Sequence, residues 1–137
     1  MKIMISQTAE YALRAILYMA EDSKSSHTTQ EIADITEIPA GYLSKILQNL
    51  SKAKLVNSQR GLGGGYTLLR SPSKLTIYEI VNAVDPLSRV TTCPLKKRCH
   101  GKKLCALHRK LDDAMALVEK SFREVTVLSM IETNKKA

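Results

Sequence analysis

Apolar residues recur at helical spacing, with polar residues between them, along the first part of the chain. Apolar side chains recur three and four positions apart over residues 7–21, which predicts an amphipathic helix with one buried face. A Thr-Thr-Gln-Glu segment at residues 28–31 is typical of a capped helix start. The short helix that begins there is expected to bury Ile32, Ala33 and Ile35. The pattern therefore predicts two helices before residue 37.

A third helix is predicted to begin at Pro39, because proline is favoured at the first helical position. Its apolar residues follow one face at the spacing i, i+3, i+4, i+7: Leu43, Ile46, Leu47 and Leu50. The other face is small, polar and basic, and carries no acid: Gly41, Ser44, Lys45, Gln48 and Asn49. Two short helices joined by a tight turn, the second with such a face, favour a helix-turn-helix. A solvated surface helix would show the same pattern.

A glycine-rich hairpin is predicted after the third helix. Two strands are expected at residues 55–59 and 66–69, and residues 60–65 between them hold four of the six glycines. The segment lacks the Lys-Ser/Thr pair of a phosphate-binding loop, so a hairpin tip is the better interpretation. A helix-turn-helix followed by such a hairpin is a winged helix, in which Arg60 would enter the minor groove of DNA.

The second half of the chain predicts a packing helix and then a dimerisation helix. A second capped start at Thr76 begins a helix that ends at Asp85 and Pro86. A later apolar seam recurs in steps of three or four residues: Leu104, Leu107, Leu111, Met115, Val118, Phe122 and Val125. A short last helix over residues 126–131 and a frayed tail over residues 134–137 are expected after it. We interpret the seam as the surface through which two copies of the chain pair.

The predicted fold class is mainly α with a two-stranded wing. Residues 1–84 are expected to form a winged helix-turn-helix DNA-binding domain, residues 85–103 a cysteine-rich loop, and residues 104–137 the dimerisation helix and tail. Lysine and arginine outnumber aspartate and glutamate by 21 to 13, which favours an anionic partner such as nucleic acid. No signal-peptide pattern and no apolar run of ~18 residues are present, so a cytoplasmic protein without a membrane partner is expected.

All three cysteines fall within one short, lysine-rich stretch. Cys93, Cys99 and Cys105 are separated by five residues in each gap. Such a polar segment offers little core in which to bury them, and nothing else suggests the secreted proteins that rely on disulfides. The favoured interpretation is a site of three thiolates and one non-cysteine ligand. Thiolates select zinc, copper(I) or an iron–sulfur cluster.

Several of these segments together resemble the Rrf family of winged-helix regulators. The resemblance is carried by residues 11–15 (Tyr-Ala-Leu-Arg-Ala), 38–43 (Ile-Pro-Ala-Gly-Tyr-Leu), 60–66 (Arg-Gly-Leu-Gly-Gly-Gly-Tyr) and the three cysteines. It implies a homodimeric transcription factor, which we interpret as a repressor, that binds a palindromic operator in double-stranded DNA. It also implies that the cysteines hold a 2Fe-2S or 4Fe-4S cluster through which nitric oxide, redox state or iron–sulfur status controls DNA binding. Lys54 stands where the family usually has a glycine.

The resemblance implies two alternatives for the fourth ligand of the cluster. NsrR-like members of the family use a carboxylate of the first helix, at the position of Glu10, which would come from the partner subunit. IscR-like members place a histidine three residues after the third cysteine, which is His108 here. The chain is more similar to the NsrR-like members, which favours Glu10. His27 and His100 are expected to be bystanders.

The expected DNA contacts lie on the third helix and on the wing. Ser44, Lys45 and Gln48 would face the major groove, and Arg60 the minor groove. The complete predicted set is Thr28, Gly41, Tyr42, Ser44, Lys45, Gln48, Arg60 and Gly63.

Two other classes of function stay open. The first is a winged-helix regulator in which a structural zinc or a thiol switch occupies the same cysteines. The second is a thiol enzyme of the peroxidase type. An enzyme is not expected, because the sequence shows no Ser-His-Asp arrangement, paired acids or phosphate loop.

Overall fold

The fold is mainly helical, in a computed structural model that describes residues 5–89 and 105–136. Within these ranges the chain forms six helices and one two-stranded antiparallel sheet. Their bounds are α1 Gln7–Glu21, α2 Thr29–Thr36, α3 Ala40–Lys52, β1 Val56–Gln59, β2 Gly65–Leu68, α4 Ile77–Val84, α5 Ala106–Glu124 and α6 Val127–Lys136. The predicted fold class, mainly α with a two-stranded wing, is confirmed.

Threonine caps fix the starts of α2 and α4. Thr76 Oγ1 accepts a hydrogen bond from the Glu79 amide at 3.2 Å, and Glu79 Oε2 accepts one from the Thr76 amide at 3.0 Å. This reciprocal pair satisfies amides that have no partner inside the helix. Thr28 Oγ1 caps α2 in the same way, accepting from the Glu31 amide at 3.1 Å. Both predicted helix starts are therefore confirmed.

One main core lies between α1, α2, α3, α4 and α6. Its fully buried side chains include Ile16 and Met19 of α1, Ile32 of α2, Leu43, Leu47 and Leu50 of α3, Ile80 of α4 and Val127 of α6. The apolar faces predicted for α1 and α3 are the faces that are buried. Burying such faces removes apolar surface from water and is the main stabilising contribution to the fold.

The predicted burial of Ile35 is wrong, because its side chain is 60% exposed. α2 instead turns Ile32, Ala33 and Thr36 toward the core. At ~3.6 residues per turn, Ile35 lies roughly 100° from the centre of that arc. The Thr36 hydroxyl can be buried because it donates a hydrogen bond to the carbonyl of Ile32.

The C-terminal helix is longer and more deeply packed than the sequence predicts. α6 continues to Lys136, so the frayed tail expected from residue 134 is wrong for the described residues. The Val127 amide donates to the Leu75 carbonyl at 2.9 Å, and Val127 and Ile131 are buried in the main core. α6 therefore packs with α1 beside the helix-turn-helix. Within the described ranges, no helix is long and apolar enough to cross a membrane.

Glycine allows the wing to fold tightly and to approach α2. β1 and β2 pair in antiparallel register, with Gln59 opposite Gly65. Gly63 in the connecting turn has φ of 76°, a left-handed conformation that favours glycine. At Gly65 a β-carbon would collide with the carbonyl of His27. The base of the wing therefore lies directly against the segment that precedes α2.

Candidate nucleic-acid interface and cysteine site

The turn between α2 and α3 is short and fixed by backbone hydrogen bonds. Glu37 ends α2 in a left-handed conformation with φ of 57°, and its amide donates to the carbonyl of Ala33. The amide of Ile38 donates to the same carbonyl at 3.2 Å, and the Ile38 side chain is only 3% exposed. Pro39 then caps α3. This arrangement holds α2 and α3 as a helix-turn-helix unit.

The outer face of α3 is presented to solvent and carries no acid. Gly41, Lys45 and Gln48 are exposed, and Ser44 is half-exposed. Tyr42 is 62% exposed, and its ring packs edge to face on Tyr11 at a centroid distance of 6.4 Å. The structure therefore brings the predicted α3 residues together on one free surface. Such a surface suits a recognition helix in the major groove.

The wing adds a second exposed element with a basic residue at its base. Arg60 follows β1 directly and is exposed, as is Gly63 in the turn. Leu62 at the tip is fully exposed. Thr28, the remaining predicted contact, is exposed at the start of α2. All eight predicted DNA-binding residues are thus partly or fully accessible.

His27, expected to be a bystander, connects the wing to the helix-turn-helix. Its amide donates to the Tyr66 carbonyl at 2.9 Å, and the Tyr66 amide donates to the His27 carbonyl at 2.7 Å. Its ring is buried, with Nδ1 2.9 Å from Glu31 Oε1 and Nε2 3.1 Å from the Asp22 carbonyl. Tyr18 donates its hydroxyl to the same Glu31 oxygen at 2.6 Å. The sequence signal for this contact is the spacing of His27 and Glu31, four residues apart beside a cap.

These hydrogen bonds shift the pKa values of the three side chains. Burial lowers the pKa of His27, but the hydrogen bonds to Glu31 and to the Asp22 carbonyl outweigh it, and the net pKa is raised. Hydrogen bonds from Tyr18 and then His27 lower the pKa of Glu31. The hydrogen bond to Glu31 raises the pKa of Tyr18 to about 12. The group therefore favours an imidazolium beside a carboxylate and a neutral phenol.

Glu10, the first candidate for the fourth cluster ligand, lies half-exposed on α1. Its Oε1 accepts a hydrogen bond from Arg14 Nη2 at 2.8 Å, and the Glu10 side chain is 40% exposed. Arg14 Nη1 donates to the carbonyl of Thr36 at 3.0 Å. Glu10 is therefore accessible to a partner subunit, but it already has one cationic neighbour in its own subunit.

His108, the second candidate, lies close to Cys105 at the start of α5. Cys105 caps the helix, and its Sγ accepts a hydrogen bond from the His108 amide at 3.5 Å. Cys105 is half-buried, whereas His108 is 3% exposed. Cys93, Cys99 and His100 lie outside the described residues. Among the residues that are described, no group of three or more metal-binding side chains occurs.

An ion pair joins the two described segments that flank the cysteine stretch. Arg89 donates from Nε and Nη2 to the two carboxylate oxygens of Asp112, at 2.7 Å each. The hydrogen bonds to Asp112 raise the pKa of Arg89. Such a two-point pair fixes geometry better than a single contact. Arg89 is thereby held against α5.

The apolar seam of α5 divides into two parts. Phe122 packs toward Ile77 and Val81 of α4. Leu107 and Leu111 remain 43% and 39% exposed. His108 is the one buried residue of this helix of 19 residues. Leu107 and Leu111 therefore leave part of their apolar surface in water on the first half of α5.

The chain matches the model of one protein family over almost its whole length. The Rrf2 model, described as an iron-dependent transcriptional regulator, matches residues 5–133. A protein of Rhodobacter capsulatus named as an rrf2-like HTH-type transcriptional regulator is 37% identical over 117 residues, covering 77% of each chain. A protein of Aquifex aeolicus named as an HTH-type transcriptional regulator is 28% identical over 137 residues, covering 98% of this chain and 95% of the relative.

Solved structures show the same fold. IscR of T. potens superposes with a TM-score of 0.77 at 21% identity, over 96% of this chain and 88% of its own. CymR of B. subtilis, described as the global cysteine regulator, superposes with a TM-score of 0.79 at 21% identity, over 96% of this chain and 98% of its own. The fold, the helix-turn-helix and the family match agree, and the chain belongs to the Rrf2 family of transcriptional regulators.

Proposed function

We propose that this protein is a homodimeric repressor that binds a palindromic operator and that an iron–sulfur cluster at Cys93, Cys99 and Cys105 controls the binding. The observation that carries the DNA-binding part is the acid-free outer face of α3, exposed beside a glycine-rich wing that holds Arg60. The net charge of +8 attracts the phosphate backbone. A repressor of this kind works in the cytoplasm, where its DNA lies.

Recognition would combine two grooves. Ser44, Lys45 and Gln48 project from α3 toward the major groove, where base edges present distinguishable donors and acceptors. Arg60 would reach the neighbouring minor groove, whose negative potential attracts a guanidinium. Contacts from Gly41, Tyr42, Thr28 and Gly63 would position the protein on the backbone rather than read bases.

The exposed part of α5 supports the homodimer. Leu107 and Leu111 lie on one side of the helix, and packing them against a second copy would remove apolar surface that the protomer leaves in water. Two copies would then present two α3 helices to successive turns of a palindromic operator.

The donor set fits an iron–sulfur cluster. Three thiolates close together prefer iron or zinc, and Lys96, Lys97 and Arg98 would offset their negative charge. Glu10 of the partner subunit or His108 would supply the fourth ligand, and Arg14 would have to share Glu10 with the cluster. When bound, such a cluster supplies a group that reacts with oxidants and nitric oxide.

A structural zinc or a thiol switch is the second candidate. Cys105 and His108 lie on one helical turn, joined by a hydrogen bond from the His108 amide to Cys105 Sγ, and could supply two ligands of a zinc site with three cysteines and one histidine. Such a site would support the fold without reporting a signal.

Anaerobic purification with iron, zinc and acid-labile sulfide analysis tests the proposal. We expect iron and sulfide together with visible absorption, and different operator affinities for loaded and stripped protein. Zinc without sulfide would contradict the sensing role and leave the DNA-binding role in place.

A further inference from the structure

His27 lies where three parts of the DNA-binding unit meet. It is 5% exposed and directly precedes Thr28, the N-cap of α2, and its backbone pairs in both directions with Tyr66 of β2. Its ring packs edge to face on Tyr18 of α1 at a centroid distance of 5.3 Å. One residue therefore contacts α1, the start of the helix-turn-helix and the base of the wing.

Both ring nitrogens of His27 face hydrogen-bond acceptors. Nδ1 is directed at the Glu31 carboxylate and Nε2 at the Asp22 carbonyl, and neither oxygen can donate a hydrogen. A neutral imidazole carries one N–H, whereas the imidazolium carries two. Only the charged ring satisfies both contacts at once, because a neutral ring would leave the lone pair of one buried ring nitrogen facing an acceptor oxygen.

We propose that His27 is a positioning residue for DNA binding, whose protonated ring fixes the base of the wing against α2 and so sets the reach of Arg60 into the operator. The inference rests on the proposed DNA binding. Tyr66 connects His27 to Arg60. Its backbone is hydrogen-bonded to that of His27, and it lies opposite Ser58 in the wing sheet, two residues before Arg60.

The direction of the pH effect follows from the neighbours of His27. The titratable groups that face or adjoin it are Glu31 of α2, Tyr18 and Glu21 of α1, Asp22 after α1 and Tyr66 of β2. The hydrogen bonds to Glu31 and Asp22 outweigh burial and raise the pKa of His27 above its ordinary value of 6.5. The stabilisation of the wing is therefore complete below that value and is lost as the pH rises through the folded-state pKa.

The first test needs no DNA. Amide hydrogen exchange of Tyr66 and the titration of the His27 ring would be followed by NMR from about pH 6 to about pH 9. After correction for intrinsic exchange, we expect protection of the Tyr66 amide to fall about threefold to tenfold as the ring deprotonates. The neutral ring loses one of its two contacts, with Glu31 or with the Asp22 carbonyl, and so holds less firmly the His27 backbone carbonyl to which this amide donates. The amide of Leu47 in α3 is the control and should keep its protection.

The second test uses a duplex that the wild-type protein selects from random-sequence DNA. We expect His27→Gln to weaken binding about threefold to tenfold, and to cause almost no further loss in an Arg60→Ala background. In a Lys45→Ala background its effect should persist, because Lys45 acts from α3. Glu31→Gln, which removes the charged acceptor, should weaken binding to the duplex by a similar factor and reduce the pH dependence of that binding.

Constant protection of the Tyr66 amide through the His27 titration would overturn the proposal. An equal loss of duplex affinity from His27→Gln in the wild-type and Arg60→Ala backgrounds would also overturn it. The wild-type titration tests the proposal even if His27→Gln does not fold. If the exchange behaves as expected but no duplex is selected, the DNA-binding function fails and the control of the wing by His27 stands.

Discussion

At the scale of single residues, two left-handed positions mark where the chain departs from regular structure. Glu37 and Lys54 have φ of 57° and 61°, and each follows a helix of the DNA-binding unit. A side chain in this conformation brings its β-carbon close to the following carbonyl. Lys54 stands where the family usually has glycine, and its dihedral angle gives the reason.

Replacing Lys54 with glycine is expected to stabilise the protein. Relief of the left-handed conformation should exceed the extra entropy that glycine has in the unfolded chain, raising the free energy of unfolding by about 0.5–1 kcal/mol. Urea denaturation would measure it. Lys52→Gly, at a helical position, is the matched control and should lower the stability. A lower free energy of unfolding in Lys54→Gly would mean that the left-handed conformation at residue 54 is not destabilising.

Arg60 is expected to contribute to operator affinity through the wing. Arg60→Ala should weaken specific binding by ~1–3 kcal/mol and reduce its dependence on salt concentration. Fluorescence anisotropy at several salt concentrations would show both effects. Lys135→Ala removes one positive charge from α6 instead and should leave affinity nearly unchanged. Equal losses in the two variants would mean that only net charge matters.

At the scale of elements, local sequence predicted the helices well because their signals are local. The cap at Thr76 needs only Glu79, three residues away, and the α3 face needs only its own spacing. Burial of His27 depends on Tyr66, which is distant in the chain and comes close only after the wing has folded. The packing of α6 likewise depends on partners far along the chain. Sequence spacing alone does not reveal such contacts.

The exposed side of α5 is expected to hold the dimer together. Leu111→Asp should produce monomers with little operator affinity, because burying an unpaired carboxylate in an apolar interface costs several kcal/mol. Light scattering at about micromolar concentration would report the mass. Lys120→Asp, about half a turn from Leu111 in helical projection, is the control and should remain dimeric. A monomeric wild type would instead assign the seam to contacts within one subunit.

At the scale of the whole molecule, the two candidates for the fourth ligand differ in one respect. One would join the two subunits through the proposed cluster, and the other would keep all four ligands in one subunit. In the proposed dimer, Glu10 would come from the partner subunit, whereas His108 is buried in the same subunit as Cys105. The family resemblance predicts both candidates, Glu10 and His108. It does not distinguish them, because the ligand depends on how the two subunits pack against each other.

Two substitutions separate the alternatives. Each Cys→Ser change at residues 93, 99 and 105 should abolish or greatly weaken cluster retention, since a hydroxyl is a poorer ligand for iron than a thiolate. Of Glu10→Ala and His108→Ala, only the variant that removes the true ligand should shift the visible absorption spectrum and speed cluster decay. Arg14→Ala controls for the loss of the Glu10 ion pair. If neither Glu10→Ala nor His108→Ala changes the spectrum, the fourth ligand is another group.

The docking of α6 has a consequence for how the protein is made. Val127 and Ile131 complete a core whose other members come from α1 to α4, from β1 and from the segments between these elements. The Ile77 amide donates a hydrogen bond to the Val125 carbonyl at 3.0 Å. During synthesis α3 leaves the ribosome long before these residues do, and until then part of its supporting core is open to water. Competence to bind an operator should therefore arise near the end of translation. A prematurely terminated chain would be a substrate for proteases rather than a rival for the operator.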